Sequence, residues 1–272
     1  WVWARQGGQM YAMYNSGRLI FFNGTPGQFE NGKTYTTGIV LSGTTSTTLT
    51  GVVYTGFERA VYSSSSPAPW NEQARNIRTV IFAASIVPES TAFWFANMPN
   101  LGEVQFNNKL DTWQTTSMAS MFAGCTRLTS LDLGWFDTRN VTDMNNMFAN
   151  CTKLTELNMS HASKVGVFST ASVNNMADMF ANTAALSKVT IGRLFSFKGN
   201  NILQSSRWAE FDPVSTAIPY AGKWVNSKNM AGQQYTSTQL RDAYSANPSG
   251  MAGTYVWARV ENYANAYLVK RA

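Results

Sequence analysis

The sequence predicts an α+β repeat fold: a solenoid of about five rungs with short helices, flanked by β-rich N- and C-terminal caps. Three observations lead to this prediction. A segment beginning Met-Phe-Ala starts at Met121 and recurs 26 residues later at Met147. A Leu-x-x-Leu-x-Leu spacing and a Met-x-x-Met-Phe spacing accompany it. Units that repeat at such a period cannot bury an apolar face alone, so they stack.

Residues 1–76 are predicted to form the β-rich N-terminal cap. The stretch "MYAMYNSGRLIFFNG" alternates apolar and polar residues around Asn15-Ser16-Gly17, which is a hairpin signal. Further along, "TGIVLSGTTSTTLTGVVYTGF" carries β-branched segments separated by Gly. Stacked repeats need atypical terminal units of this kind to cover the ends of the core.

Five copies of the Leu-x-x-Leu-x-Leu spacing follow in residues 77–192, the predicted solenoid. The intervals between their first members are 24, 27, 26 and 32 residues. We attribute the longest interval to six additional residues in "SHASKVGVFST", placed in a loop between rungs. The copies begin at Ile77, Leu101, Leu128, Leu154 and Leu186.

The Met-x-x-Met-Phe spacing predicts a short helix, because it places Met118 and Met121 on one side of a helical turn. Since these positions keep register with the Leu copies, core packing is favoured over a binding groove. The Met and Phe positions concerned are Met118, Met121, Phe122, Met144, Met147, Phe148, Met176, Met179 and Phe180.

The positions between the apolar strand residues are predicted to face outward, because side chains alternate along a strand. Trp113 stands where the next unit has Arg139, and no repeat rule requires an aromatic residue there. Exposed aromatic residues bind sugar rings and protein partners, although a partly buried Trp against a cap is the alternative. We predict ligand binding by Trp113, Arg139, the loop 160–168 and the outward row. The row comprises Glu103, Gln105, Ser130, Asp132, Glu156, Asn158, Lys188 and Thr190.

Two further residue types recur in register. Thr112, Thr138 and Thr170 occupy turns, where hydroxyl groups cap backbone amides. Cys125 and Cys151 take the same place in neighbouring units, within the Cα separation that a disulfide allows. Equivalent side chains in a ladder point in parallel, however, so two buried thiols are favoured over a bridge.

Residues 193–272 are predicted to form the C-terminal cap, with β-strands and one short helix. Thr236 or Ser237 is the expected N-cap of that helix, and "GTYVWARV" is the expected final strand. The letters "VWAR" occur at 2–5 and at 256–259. Either the parent chain carries tandem modules, or two cap strands have similar requirements.

Composition and charge narrow the function classes. Only 13% of the 272 residues are charged, and the net charge is +6. The basic residues form no stripe or recognised motif, which argues against nucleic acid. No run of 18 apolar residues occurs, so we expect no membrane insertion within this chain.

The sequence favours no catalytic, metal or cofactor site. His161 is the single histidine, and no nucleophile-elbow pattern accompanies it. Two cysteines and one distant histidine do not supply the four ligands of a zinc site. Carboxylate pairs such as Asp132 with Glu156 would stand on a shallow sheet, which shields a glycosidic reaction poorly.

The residues "FDTRNVTDMNNMFANCTKLTELNMS" resemble the leucine-rich-repeat-like repeats of BspA-type bacterial surface proteins, a family of 26-residue surface-protein repeats. Upstream, "RTVIFAASIVPESTAFWFANMPNLGEV" is similar to the degenerate first repeat of that family. The resemblance covers about residues 77–192; Trp113, Thr115 and the six-residue insertion depart from it. It implies a leucine-rich-repeat-like fold in a secreted, cell-wall-associated protein, of Gram-positive type, in a family regarded as adhesins.

The expected function is a noncatalytic cell-surface binding module, an adhesin that recognises a host extracellular protein or glycan. Bacterial cell wall is a second expected partner. A structural spacer within a larger cell-wall protein is the alternative, because repeat folds carry unrelated functions.

Overall fold

The structure, a computed structural model, describes residues 8–41, 43–160, 167–196, 220–229 and 231–259. The first sheet has the strand order β3-β4-β1-β2-β5-β6. Its strands are β1 (Gln9–Asn15), β2 (Arg18–Gly24), β3 (Lys33–Val40), β4 (Ser46–Tyr54), β5 (Thr79–Phe82) and β6 (Glu103–Gln105).

The second sheet has the order β11-β10-β12-β9-β8-β7 and, like the first, mixes parallel and antiparallel pairs. Its strands are β7 (Ser130–Asp132), β8 (Glu156–Met159), β9 (Lys188–Ile191), β10 (Tyr220–Asn226), β11 (Gln234–Tyr235) and β12 (Gly253–Arg259). The helical elements are a 3-10 turn at Asn71–Gln73, α1 (Ser237–Ala246) and α2 (Pro248–Met251).

The predicted α+β leucine-rich-repeat-like solenoid with short helices is wrong. The fold is mostly β, and in the described part of the chain the two α-helices contain 10 and 4 residues. Neither lies in the repeats. The strands of the repeats are also divided, since β6 closes the first sheet and β7 begins in the second. Five repeat strands therefore do not form one continuous row.

Left-handed backbone conformations explain why the Met-x-x-Met-Phe segments are turns. Ser120 has φ 54° and Gly124 has φ 76°, whereas an α-helix needs right-handed conformations throughout. The chain instead makes successive turns, with Met121 N donating to Met118 O at 3.2 Å. The equivalent left-handed residues in other units are Phe93, Asn97, Asn146, Asn150, Asp178 and Asn182. Most of these places hold Gly, Asn or Asp, which adopt the left-handed conformation more readily than other residues.

The turn segments also join neighbouring repeat units. Ser120 N donates to Asn145 O at 2.8 Å, and Gly124 N donates to Ala149 O at 2.8 Å. In the next unit Asn146 N donates to Ala177 O at 2.8 Å. Every second backbone N–H group of a turn segment thus donates to a carbonyl of the following unit. These bonds satisfy buried N–H groups that, in a helix, would be satisfied within the segment itself.

The Met and Phe positions pack in the core, as predicted. All nine are at most 1% exposed, and one apolar cluster extends from Ala12 in β1 to Tyr255 in β12. The Phe148 ring stacks between Phe122 and Phe180, with centroid separations of 6.1 and 5.5 Å.

Two local predictions at the chain's flanks are confirmed. Ser16 and Gly17 form the β1–β2 turn with φ 46° and 85°, the combination that suits a two-residue hairpin. Thr236 caps α1, accepting from Gln239 N at 3.1 Å while Gln239 Oε1 accepts from Thr236 N at 2.9 Å. The division into 1–76, 77–192 and 193–272 stays a prediction, and the "VWAR" at 2–5 lies outside the described residues.

The C-terminal elements close the parallel array of repeat strands. β12 pairs antiparallel with β9, with Thr254 opposite Thr190. The Tyr244 hydroxyl on α1 donates to Ile191 O at 2.9 Å and to Gly192 O at 3.1 Å. These two bonds anchor α1 at the end of β9.

Candidate functional site

A depression of about 510 Å³ lies on the outward face of strands β7, β8 and β9. The side chains of Leu157 and Val189 are buried, and their polar neighbours along the strands project outward. The lining residues are Ser130, Leu131, Asp132, Glu156, Leu157, Asn158, Ser160, Lys188 and Thr190. We call this depression the polar face.

The structure brings together six of the eight residues of the predicted outward row. Glu103 and Gln105 belong to β6 in the first sheet and do not line the polar face. The six lining residues are Ser130, Asp132, Glu156, Asn158, Lys188 and Thr190.

Strand register orders these side chains into two parallel rows. Ser130 lies beside Glu156, which lies beside Lys188. In the second row Asp132 pairs with Asn158 and Asn158 with Thr190. Neighbouring parallel strands are about 4.8 Å apart, so each row presents polar groups at a regular spacing.

The second row is held by hydrogen bonds. Asp132 Oδ1 accepts from Gly134 N at 2.8 Å and from Asn158 Nδ2 at 2.9 Å. Asn158 Oδ1 accepts from Ser160 N at 3.0 Å, and the hydroxyls of Thr190 and Thr254 are 2.9 Å apart. Both the carboxylate and the amide are therefore fixed in orientation.

The first row contains an ion pair. Lys188 Nζ lies 3.0 Å from Glu156 Oε2, with the two side chains about half exposed. An exposed pair of this kind contributes at most about 1 kcal/mol and is screened by salt. Breaking the Glu156–Lys188 pair to bind a ligand therefore costs little free energy.

Gly134 borders the polar face, although no sequence motif pointed to it. A Cβ atom at this position would lie 2.8 Å from Ser160 O and 3.0 Å from Asp132 Oδ1. A side chain at position 134 would therefore displace both the Ser160 carbonyl and the Asp132 carboxylate. The only sequence signal was a Gly two residues after the end of β7, in "LDLGW".

Trp113 and Arg139 do not line the polar face. Trp113 is 48% exposed, and its carbonyl accepts from Asn140 Nδ2 at 2.7 Å. Arg139 pairs with Asp137 at 2.5 Å, and hydrogen bonding from the guanidinium lowers the pKa of the Asp137 carboxyl. The structure therefore places this pair of predicted site residues apart from the main cluster.

The recurring threonines connect successive units, as predicted for turn hydroxyls. The buried Thr138 donates from Oγ1 to Ser169 O at 2.7 Å and accepts from Ser169 N at 2.8 Å. Thr112 makes the same two-way contact with Asp137 at 3.0 and 2.8 Å. These hydroxyls are structural rather than available to a ligand.

Both cysteines are free and buried, which confirms the prediction of thiols over a disulfide. Cys125 Sγ donates to Phe95 O and Cys151 Sγ to Phe122 O, each at 3.1 Å. Burial raises the pKa of both thiols, that of Cys151 to about 12. Neither is a thiolate near neutral pH.

His161, in the loop 160–168, lies outside the described residues. The described ranges hold no cluster of three or more His, Cys, Asp and Glu side chains suited to a metal ion. In the same ranges, no helix is both long enough and apolar enough to cross a membrane.

Residues 94–192 match the family model described as "Mycoplasma protein of unknown function, DUF285". The match covers 99 of the 272 residues and contains β6 to β9, hence the whole polar face. Comparison with curated proteins and with solved structures gave no match. The repeats are thus similar to a bacterial surface-repeat family of unknown function.

Proposed function

We propose that this protein is a noncatalytic bacterial cell-surface binding module, an adhesin for a host extracellular protein or glycan. The observation that supports it is the polar face: six outward side chains from three strands around one depression, with Asp132 bonded to Asn158 and Glu156 to Lys188. Preorganised polar groups bind with little loss of side-chain entropy.

A secreted, surface-exposed location belongs to this proposal. It is supported by the match of residues 94–192 to a bacterial surface-repeat family. The narrower BspA-like assignment, with attachment to a Gram-positive cell wall, rests on the sequence resemblance alone. Trp113 and Arg139 belong to the proposal as a second contact region, since both are exposed.

The test is binding of the purified chain to immobilised host-matrix proteins, mucin and a glycan array, with bacterial cell wall beside them. We expect saturable binding to a host component that persists at physiological salt. Asn158→Ala should weaken it, because Asn158 lies at the centre of the polar face and orients Asp132. Trp113→Ala measures the second contact region separately.

Two outcomes would replace the proposal. Binding to nothing, or only to cell wall at low salt, would favour a structural spacer, whose polar face merely satisfies its own hydrogen bonds. Substrate turnover that depends on Asp132 would instead establish an enzyme.

A further inference from the structure

We infer that the ligand of the polar face is a glycan, bound through a pair of hydroxyls on adjacent carbons by Asp132 and Asn158. This inference rests on the proposed function and narrows it to one ligand class. It starts from the hydrogen-bonding capacity that these two side chains have left.

Asp132 retains one open acceptor. Its Oδ1 takes two hydrogen bonds, from Gly134 N and Asn158 Nδ2, while Oδ2 has no donor among the described residues. Because Asp132 is exposed, Oδ2 is accessible from the depression. The two bonds to Oδ1 hold the carboxylate so that Oδ2 keeps one direction.

Among the described residues, Asn158 retains one open donor. The amide nitrogen carries two hydrogens, and one is directed to Asp132 Oδ1. Its oxygen is occupied by Ser160 N at 3.0 Å, which also fixes which side of the amide carries the nitrogen. The second N–H therefore remains on an amide that is hydrogen-bonded to the Asp132 carboxylate.

An acceptor beside a donor is complementary to a vicinal diol. One sugar hydroxyl donates to Asp132 Oδ2, and its neighbour accepts from Asn158 Nδ2. Asn158 Nδ2 lies 2.9 Å from Oδ1 of the same carboxylate, which holds the donor and the carboxylate close enough to be shared by one diol. Hydrogen bonds to a charged group are stronger than those between neutral groups, so Asp132 is the anchor.

A second pair of the same type continues along the sheet. Glu156 and Lys188 place an acceptor 3.0 Å from a donor one row away. Stacked strands repeat at about 4.8 Å, so a chain of sugar residues meets successive polar pairs. An oligosaccharide therefore matches the polar face better than a single sugar.

The lining also argues against a protein partner here. Protein interfaces take most of their affinity from aromatic and Arg anchors in apolar pockets. The apolar lining residues Leu131 and Leu157 are only 5% and 2% exposed. A protein side chain would find little apolar surface in this depression.

The experiment compares wild type, Asp132→Asn and Glu30→Gln on a glycan array and on immobilised mucin. Asp132→Asn removes the charge and turns the open acceptor into a donor, so binding should weaken at least tenfold. Glu30→Gln is the charge-matched control, exposed between β2 and β3, and should stay within twofold. Near-unchanged melting temperatures would show that both variants fold.

Mild periodate oxidation of the mucin, followed by borohydride reduction, provides a second measurement. Periodate cleaves the bond between adjacent hydroxyl-bearing carbons, so the treated mucin should lose binding while mock-treated mucin keeps it. Binding that survives oxidation, or that Asp132→Asn leaves intact, would overturn the inference.

The glycan and the protein surfaces in this experiment distinguish failure of this inference from failure of the proposed function. If the chain binds glycan-free matrix proteins saturably but no glycan, the inference fails and the adhesin stands. If it binds neither, both fail.

Discussion

The repeat units are joined on a turn side and on a strand side, and the two sides differ in continuity. On the turn side, alternate N–H groups donate to the next unit from residues 91–97 through 117–124 and 143–150 to 175–181. On the strand side, pairing joins β5 to β6 and, in a separate sheet, β7 to β8 and β9.

Apolar packing continues where the strand pairing is interrupted. The rings of Phe106 and Phe136 meet edge to face with centroids 5.1 Å apart, and Thr126 Oγ1 donates to Pro99 O at 3.2 Å. We conclude that the turn side keeps the units in register, whereas the strand side is continuous only locally. The polar face is accordingly limited to β7–β9.

The largest expected effect comes from the buried rings behind the turns. Phe148→Ala should lower the free energy of unfolding by about 3–5 kcal/mol, because it opens a cavity between Phe122 and Phe180. Val104→Ala in β6 should cost less than about 2 kcal/mol, since Val104 is only partly buried. Urea unfolding measures both. Equal losses of unfolding free energy in the two variants would contradict the proposed difference between the turn side and the strand side.

Two glycines, one on the turn side and one on the strand side, test how strictly the backbone of each side requires glycine. Gly124→Val should cost about 2–3 kcal/mol, because Gly124 has φ 76° and a Cβ there would lie 2.9 Å from Asn97 Oδ1. Gly102, on the strand side before β6, has open space around its Cβ position and no positive φ. Gly102→Ala should therefore change the melting temperature little, and a large decrease would contradict the comparison.

The threonine ladder predicts a smaller effect. Thr138→Val should cost about 1–2 kcal/mol, because it removes the buried hydroxyl that accepts from Ser169 N and donates to Ser169 O. Thr155 is exposed and donates only to Thr129 O on the strand side, so Thr155→Val serves as the matched variant. Comparable unfolding energies for the two variants would show that burial does not distinguish these hydroxyls.

The smallest expected effect is on the strand face. Glu156→Gln should change stability by less than about 1 kcal/mol, because its bridge to Lys188 is about half exposed. The difference from wild type should shrink further as salt is raised. A loss above 2 kcal/mol would mean that the polar face is a stabilising element.

Several features could be predicted from the sequence because they depend on local chemistry. The Ser16-Gly17 turn and the Thr236 cap follow from residues within one turn of each other. The burial of Met147 and Phe148 follows from their register with the Leu copies. Alternation along β7 to β9 also predicted that six of the residues lining the depression share one face; their role in ligand binding stays a prediction.

The helix prediction failed because periodicity alone does not report the sign of φ. Met118 and Met121 have helical spacing, but Ser120 between them is left-handed. That conformation is stabilised by Ser120 N donating to Asn145 O in another unit. A bond to a residue 25 positions away cannot be inferred from local propensity.

By itself, then, the sequence determined the repeat interval, the inward and outward positions of the strands, the Ser16-Gly17 hairpin turn and the Thr236 helix cap. Only the tertiary structure decided that the repeats are turns rather than helices, that β6 and β7 lie in different sheets, and that Gly134 abuts Asp132. The physical reason is that periodicity specifies which face of a segment is apolar. The partner of each backbone N–H is chosen only when the units pack against one another.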